Sequence, residues 1–575
     1  MILHRRGVRA AATVVALVGL AVLVLMPPAP ATTSPLTGVG PTARGAYHIH
    51  SDRSDGSGTV DEIARAAQRA GLQFIIVTDH GDGTRPPDPP RYRHGVLVID
   101  AVELNTAGGH LVALGLPATP YPFAGEAADV LEDVRRLGGI GLAAHPDSPR
   151  PALRWTAWDV PMDGLEWINA DSVWRDESSA ALARAILGYG LRAPGALALV
   201  LDRPDNLMRR WDALGVTRSV PALAAADAHA RLGLRRSADP DPDTDVSTLH
   251  LALPGYEVAF RTFSNHVALE QPLTGDAAPD AAAVLAAITR GHVFTVIDAL
   301  ATPGGLMFAA KDGERTIAMG EASAIGTEVS LQVRINGPAG TRLVLLRNGA
   351  TVQDTTESEL TVPAVRDAGV YRVEAYTPGG PGTPPVPWIV SNPIYLGLPR
   401  VPFAVPAIAT PVSRIPARSE EAEVEKGSAD VSELVDAQLP DARERRMAGE
   451  PPIGWRFALS PGMATGQFAA VRVPAVGGLA GVDRVRFLVT AATPVRAWVQ
   501  VRGGPGAQRW GRTFYADGTT RMIDLPLKSF RPIGTTTSAT PPLEQIDALL
   551  FVVDTLNSRP GASGAMTISE IAFVR

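Results

Sequence analysis

The chain has 575 residues, a formal net charge of −6 and 45% hydrophobic residues. That length suits three or four domains of about 150 residues, and the acidic balance excludes a nucleic-acid surface held by bulk electrostatics. There is no cysteine, so disulfides and thiolate metal sites are excluded, and any metal site must be built from histidine and carboxylate.

Residues 1–34 read as a signal peptide or N-terminal anchor. His4-Arg5-Arg6 and Arg9 form a basic start, residues 10–26 are apolar and uncharged, and Ala29-Pro30-Ala31 is an Ala-x-Ala cleavage pattern. The apolar run is near the lower length limit for a spanning helix, which makes an uncleaved membrane tether the alternative. Either way the protein is expected outside the cytoplasm, periplasmic or secreted, or tethered to the inner membrane.

Residues 45–81 read as strand, loop, helix, strand. Alternation along Gly45-Ala46-Tyr47-His48-Ile49-His50 puts both histidines on one face, as a pair of ready-made metal ligands. The polar, turn-rich loop 51–58 brings Asp55 back toward them. Thr59-Val60-Asp61-Glu62 is a capping box, and Gly71 ends the helix. Phe74-Ile75-Ile76-Val77 has the unbroken apolar texture of a buried parallel strand and delivers Asp79 and His80 at its end.

Further along, an apolar strand over 96–102 ends in Glu103, and Gly108-Gly109-His110 precedes the strand 111–114. A helix over 129–137 leads to a strand over 140–144 that ends in His145. Leu165-Glu166-Trp167-Ile168-Asn169 is another strand, 178–201 is mostly helical, and the strand 220–226 ends in Asp227-Ala228-His229. A polar excursion over 240–245, a helix over 281–289 and a strand over 292–297 complete the region. Repeated strand-helix-strand units predict a parallel sheet, and ligands at C-terminal strand ends are where α/β barrels place their chemistry.

Collected at these strand ends are His48, His50, Asp55, His80, Glu103, His110, His145, Asp227 and His229, six of the chain's eleven histidines. Nine imidazole and carboxylate donors exceed one coordination sphere and suit two or three divalent ions, Zn, Mn or Fe. Glu103 is the expected bridge.

His48-x-His50, Ser54-Asp55-Gly56, Ala70-Gly71-Leu72 and Thr78-Asp79-His80, followed by Glu103, Gly109-His110, Ala144-His145-Pro146 and Asp227-Ala228-His229, resemble in order the motifs of the PHP (polymerase and histidinol phosphatase) superfamily. The resemblance covers about residues 44–400. It implies a distorted (β/α)7 barrel over 44–310 and makes the nine residues the metal ligands. Gly108 to Gly115 together with Ser391-Asn392-Pro393 is most similar to the carbaryl-hydrolase-like branch. Ala226 departs from relatives that carry a small polar residue there.

The expected activity is a metal-dependent hydrolase, with a metal-bridging hydroxide cleaving a small-molecule phosphoester, or a carboxylic or carbamic ester. Asp79 is a candidate catalytic residue that orients His80 or shuttles a proton, with a loop cap as the alternative role. Glu166 is read either as a support for the ligands or as buried rim. Trp155, Trp158, Trp167 and Trp174 wall a pocket or fill core, Arg231 and Arg261 hold an anionic substrate group or are simply solvated, and His94, His250, His266 and His292 are read as structural. The competing reading is a non-catalytic or carbohydrate-targeted cell-envelope binding protein.

Two all-β sandwich domains are expected to follow. Period-two alternation and Asn-Gly turns mark a small one over 320–400, and 401–450 reads as a charged linker. Residues 451–575 read as a jelly-roll, galactose-binding-like sandwich, in which Trp498, Trp510 and Tyr515 offer a glycan platform if they are exposed.

Overall fold

The computed structural model describes residues 26–175, 177–230, 232–233, 250–251, 254–324, 329–398, 422–423, 435–436, 452–462, 467–475 and 477–574. Most of the apolar N-terminal run, Arg231, the 240–245 excursion and nearly all of 401–450 lie outside them. The chain divides into two compact units.

The first unit comprises 1–81, 87–116 and 138–402. It opens with β1 (Ala31–Thr32), β2 (Thr42–Tyr47), helix α1 (Val60–Ala70), β3 (Phe74–Val77), β4 (His80–Gly81) and β5 (Arg91–Arg93). Then come β6 (Val96–Asp100), β7 (Val102–Thr106) and β8 (Gly109–Leu114). The helix α2 (Ala127–Arg136) intervenes in sequence before β9 (Ile140–Ala143), β10 (Gly164–Asn169), α3 (Ala170–Val173), α4 (Ser179–Ala198), α5 (Asp205–Thr217) and β11 (Ala222–Ala225).

Parallel pairing joins β2 to β3 and β3 to β6. The chain turns a corner at Ala101 into β7, which pairs with β4 and β8, and the sheet continues through β9 and β10 to β11. The end of β11 returns to the start: Ala226 N–H donates to the Tyr47 carbonyl at 2.9 Å, and His50 N–H to the Ala228 carbonyl at 3.0 Å. Not every step is parallel, since β8 runs antiparallel to both β7 and β9. His110, at the N-terminal end of β8, therefore reaches the same rim as residues at the C-terminal ends of the parallel strands.

The unbroken apolar run of β3 is explained by burial on both faces. Phe74 and Ile76 point into the cluster inside the strands with Tyr47, Ile99, Val112, Leu142 and Leu223. Ile75 and Val77 point outward to Ile63, Ala64 and Ala67 of α1. The capping box forms as its spacing predicts: Thr59 Oγ1 accepts from Glu62 N–H, the Glu62 side chain accepts from Thr59 N–H, and Gly71 closes the helix at φ 76°.

The small sandwich is not a separate body, and its boundary lies earlier than 320. Strand Leu306–Asp312 pairs with Val329–Ile335 and Arg315–Ala318. Its second sheet is continuous with that of β2, because Ile389–Ser391 pairs with Val293–Val296, which pairs with Ser264–Ala268 and so with β2. A buried ion network fastens the same junction. Arg372 donates to both carboxylate oxygens of Asp212 on α5 (2.6 and 2.7 Å) and to Glu374, whose carboxylate also accepts from Arg203.

The second unit comprises 82–86, 117–137 and 403–575. Two antiparallel sheets, one with Arg484–Ala491 and Ser563–Val574, the other with Val495–Gly503 and Ile546–Asp554, enclose a core of Trp455, Phe487, Trp510, Phe514 and Phe551. Within the segment 401–450, Ala422–Glu423 and Val435–Asp436 each pair with a strand of this sandwich, so the segment is not wholly a linker. Residues 117–137, expected within the barrel, group here as well. The buried Arg496 guanidinium donates to both Asp133 oxygens (2.8 and 2.6 Å) of α2, and Thr513 donates to Asp129.

Removing Arg372 leaves Asp212 and Glu374 buried with unbalanced charge, so Arg372→Met is expected to cost about 3–5 kcal/mol. Denaturant unfolding followed by fluorescence checks this. A change below about 1 kcal/mol, the size of an exposed pair, would mean that the network does not fasten the junction.

Candidate metal centre

The strand ends converge as the sequence requires. Tyr47 ends β2, and Ile49 then bridges to Ala228 beside the end of β11. Ile49 is fully buried toward α1, so its neighbours His48 and His50 both face the interior. His80 on β4 pairs in register with Glu103 on β7, and Asn105 opposite His110 sets the position of β8. His145 follows β9; Asp227 and His229 follow β11.

Simple strand alternation does not aim these side chains unaided. His48, His145 and Asp227 have φ of +63°, +29° and +41°. Left-handed backbone at non-glycine residues is disfavoured, and it persists where the surrounding structure imposes it. Gly56 makes the loop 51–58 feasible, since a Cβ there would lie 2.1 Å from the His50 carbonyl oxygen.

Glu103 is the centre. Its Oε2 lies 3.1 Å from His48 Nε2, 3.2 Å from His50 Nε2 and 3.3 Å from His80 Nδ1. Its Oε1 lies 2.7 Å from His110 Nδ1 and 2.9 Å from His145 Nε2. Asp227 Oδ1 is 3.4 Å from His48 Nε2 and 3.3 Å from His50 Nε2. Asp55 reaches His50 Nδ1 at 3.4 Å, His80 Nε2 at 3.7 Å and His229 Nε2 at 3.2 Å. All nine predicted donors thus fall in overlapping groups: His48, Glu103 and His145; His48, His50 and Asp227; His80, Glu103 and His110; His50, Asp55, His80 and His229.

The donor chemistry fits divalent cations. His48 Nδ1 donates to Glu166 at 2.5 Å, His145 Nδ1 to the Leu153 carbonyl at 3.0 Å, and His229 Nδ1 to the Asp227 carbonyl at 2.9 Å. Each outward donation leaves the inner nitrogen of a neutral imidazole as a lone pair facing a carboxylate. Two such lone pairs repel unless a proton or a cation stands between them. His50 Nε2 and His80 Nδ1 are buried without a hydrogen-bond partner, although carboxylate oxygens lie 3.2–3.3 Å away. Convergence without hydrogen-bond geometry is what ligation needs.

The charge balance points the same way. Burial opposes charging of His145, but Glu103 outweighs it and lifts the imidazole to about 9. Burial likewise opposes charging of His229, and Asp55 and Asp227 lift it to about 10. Burial raises Glu103 and Asp227, yet the surrounding imidazoles hold both well below the usual carboxylate range. Protons stand in for cations in the metal-free cluster.

Glu166 belongs to this assembly as a positioning residue. It is fully buried, and besides His48 it accepts from the His145 backbone N–H (2.6 Å) and from Asn169 (2.9 Å). Asp79 makes the hydrogen bonds of a loop cap. Its Oδ1 accepts from Ser51 N–H (2.6 Å) and Ser54 Oγ (2.7 Å), and its Oδ2 from Ser51 Oγ (2.6 Å), which fastens the loop carrying Asp55. A polar cavity of about 210 Å³ adjoins His145, lined by Glu166, Asn169, Ser172, Arg203 and Asn206 among others.

Of the remaining candidates, His94 pairs with Asp61 (2.9 Å) at the surface, and His266 stacks on Phe294, with burial pushing it down to about 3. Arg261 pairs with Glu257. Trp155 and Trp167 are buried core, whereas Trp158 and Trp174 stack against Arg210 and Arg175. In the C-terminal sandwich, Trp510 is core and the Tyr515 ring is covered by Arg136 at 3.4 Å. Those two do not form an open aromatic platform with Trp498.

No family model and no curated protein matches the chain. Solved structures are similar to parts of it. A two-domain protein of Bacteroides vulgatus containing a predicted PHP-like metal-dependent phosphoesterase is 14% identical, at a TM-score of 0.26, with 61% of this chain and 93% of that chain covered. A family 11 carbohydrate-binding module of Clostridium thermocellum, in complex with a β-1,3-1,4-mixed-linked tetrasaccharide, is 17% identical, at 0.16, with 22% and 88% covered. A family 30 carbohydrate-binding module is 12% identical, at 0.19, with 27% and 86% covered. Likeness this remote leaves the chemistry to be read from the site.

The raised imidazoles give a pH signature with a definite sign. In the metal-free protein they stabilise the fold below about 6.5, the unfolded histidine value. That contribution is lost as pH rises through 9 to 10. Cations must displace these protons, so calorimetric titration of Zn²⁺ or Mn²⁺ near neutral pH is expected to release at least one proton per chain and to tighten as pH rises. Heats independent of the buffer's ionisation enthalpy would contradict this.

Proposed function

We propose that the chain is an exported metal-dependent hydrolase of the PHP type that cleaves a phosphoester. The observation that carries this reading is one carboxylate, Glu103, in contact with five imidazoles at the rim of a strand-lined core. The PHP-like motif order along 44–400 supports it. The carbaryl-hydrolase-like branch is the finer assignment, and it makes a carboxylic or carbamic ester the second substrate class.

Divalent cations, when bound, supply the positive charge that acidifies a water at neutral pH and stabilises an oxyanion. The chain's own residues do the rest. Glu103 and Asp227 hold the donors in one place, Glu166 fixes the ring of His48, and Asp79 fixes the loop of Asp55. Asp55, His80 and His229 are the open members, with side-chain exposures of 48, 33 and 22%, whereas His48 and His50 are at 0%. Substrate therefore approaches from the Asp55 side, and the interior histidines stay shielded from water. The non-catalytic reading is disfavoured by the same convergence, because loss of function removes selection on a nine-donor cluster before it disturbs the fold.

Purified protein reconstituted with Zn²⁺ or Mn²⁺ is expected to hydrolyse bis-p-nitrophenyl phosphate or p-nitrophenyl phosphate. Chelation and Glu103→Gln should each lower the rate by at least 100-fold. Turnover of naphthyl methylcarbamate with neither phosphoester cleaved would move the assignment to the ester class. Activity that survives both chelation and Glu103→Gln would remove the metal-dependent reading altogether.

A further inference from the structure

Helix α4 carries an apolar stripe that nothing in the proposed hydrolase uses. Ala183, Ile186, Leu187, Gly190 and Leu191 share one face by i, i+3, i+4, i+7, i+8 spacing. Ile186, Leu187 and Leu191 are 73, 58 and 42% exposed, the largest such group among the described residues. The opposite side is anchored, with Ala185 and Gly188 buried and the Tyr189 hydroxyl accepting from Gly255 N–H at 3.2 Å. Single exposed leucines are ordinary, but a continuous stripe along one helix marks an interaction surface.

The chain itself says what lies against it. Arg192, next to Leu191, donates to the Pro27 carbonyl and sits 3.9 Å from Met26 Sδ. Pro27 is buried, and a Cβ on Gly195 would come within 3.0 Å of Pro27 and Pro28. Met26 is the last residue of the uncharged run 10–26 and is itself 37% exposed. The described chain therefore begins, at Met26, beside the stripe. The uncharged run 10–26 has 17 residues, the lower limit in length for crossing a bilayer. It is preceded by Arg5, Arg6 and Arg9, which favour the cytoplasmic side.

We propose that α4 lies in the surface of the bilayer that the N-terminal segment enters, with its Ile186, Leu187 and Leu191 face in the headgroup and acyl boundary. Its charge suits an anionic membrane: residues 179–191, the regular part of the helix before the backbone breaks at Arg192, contain Arg184 and no acid. The helix lies on the membrane rather than through it, since no helix of the described residues is long and apolar enough to span. The contact is independent of the hydrolase reading. If it holds, it fixes the orientation of the first unit at the membrane, because Gly255 neighbours Tyr256, whose hydroxyl donates to the His50 carbonyl at 2.8 Å.

The absence of cysteine makes the test clean. Full-length Ile186→Cys and Leu187→Cys, and Val352→Cys at a 45% exposed position as control, are labelled with an environment-sensitive fluorophore. The proteins are reconstituted into vesicles of equimolar phosphatidylcholine and phosphatidylglycerol. The proposal expects blue-shifted emission and several-fold stronger quenching by nitroxide lipids at 186 and 187 than at 352. Equal, water-like signals at all three positions would overturn it. So would shielding at 186 and 187 from both lipid quenchers and aqueous iodide, the signature of residues 1–25 folded back on the helix. Shielding that appears only as protein density in the vesicle rises would assign the stripe to a second copy and overturn it as well.

Discussion

The arrangement depends on burying one carboxylate among five imidazoles. Glu103 is 1% exposed, and an isolated carboxylate at that depth is strongly disfavoured. It is tolerated because His48, His50, His80, His110 and His145 converge on its two oxygens, and because Asp227 and Asp55 extend the same alternation of acid and base outward. Three residues of the cluster hold left-handed backbone, and Glu166 is sealed beneath it. A cluster of this composition is stable only with its charges balanced, by protons or by cations. The strand ring is the frame that forces the balance to be struck in one place.

Much of this was legible in the sequence. Most of the nine donors were readable because they sit at the ends of apolar strands, whereas Asp55 lies in the loop 51–58 and His110 precedes its strand; apolar runs bounded by turns are the strongest local signal a chain carries. The capping box at Thr59 and Glu62 was readable for the same reason: its chemistry is confined to four residues. Glu166 was only half legible, since a strand-end glutamate is equally a rim residue until its partners His48 and His145 are known to meet. Asp79 was assigned by its neighbour His80, yet its carboxylate is taken up by Ser51 and Ser54, a pairing 25 to 28 residues distant that no local pattern encodes.

Domain boundaries were the least legible. A change of texture near residue 320 suggested a separate sandwich, but sheet continuity through Ile389–Ser391 and the fully buried Arg372 are long-range facts. The helix Ala127–Arg136 looked like a barrel crossover by its apolar spacing. Its acidic residues Asp129 and Asp133 decide otherwise, since they belong to Arg496 and Thr513 over 360 residues away. The antiparallel run of β8 escaped for a related reason, because strand direction leaves no mark on a short apolar run.

The central claim is most directly tested by anomalous diffraction at the metal edge from crystals grown with Zn²⁺ or Mn²⁺. Two or three peaks are predicted, all within bonding distance of the nine side chains, with at least one shared through the Glu103 carboxylate. An empty cluster in crystals that carry metal elsewhere would contradict the account.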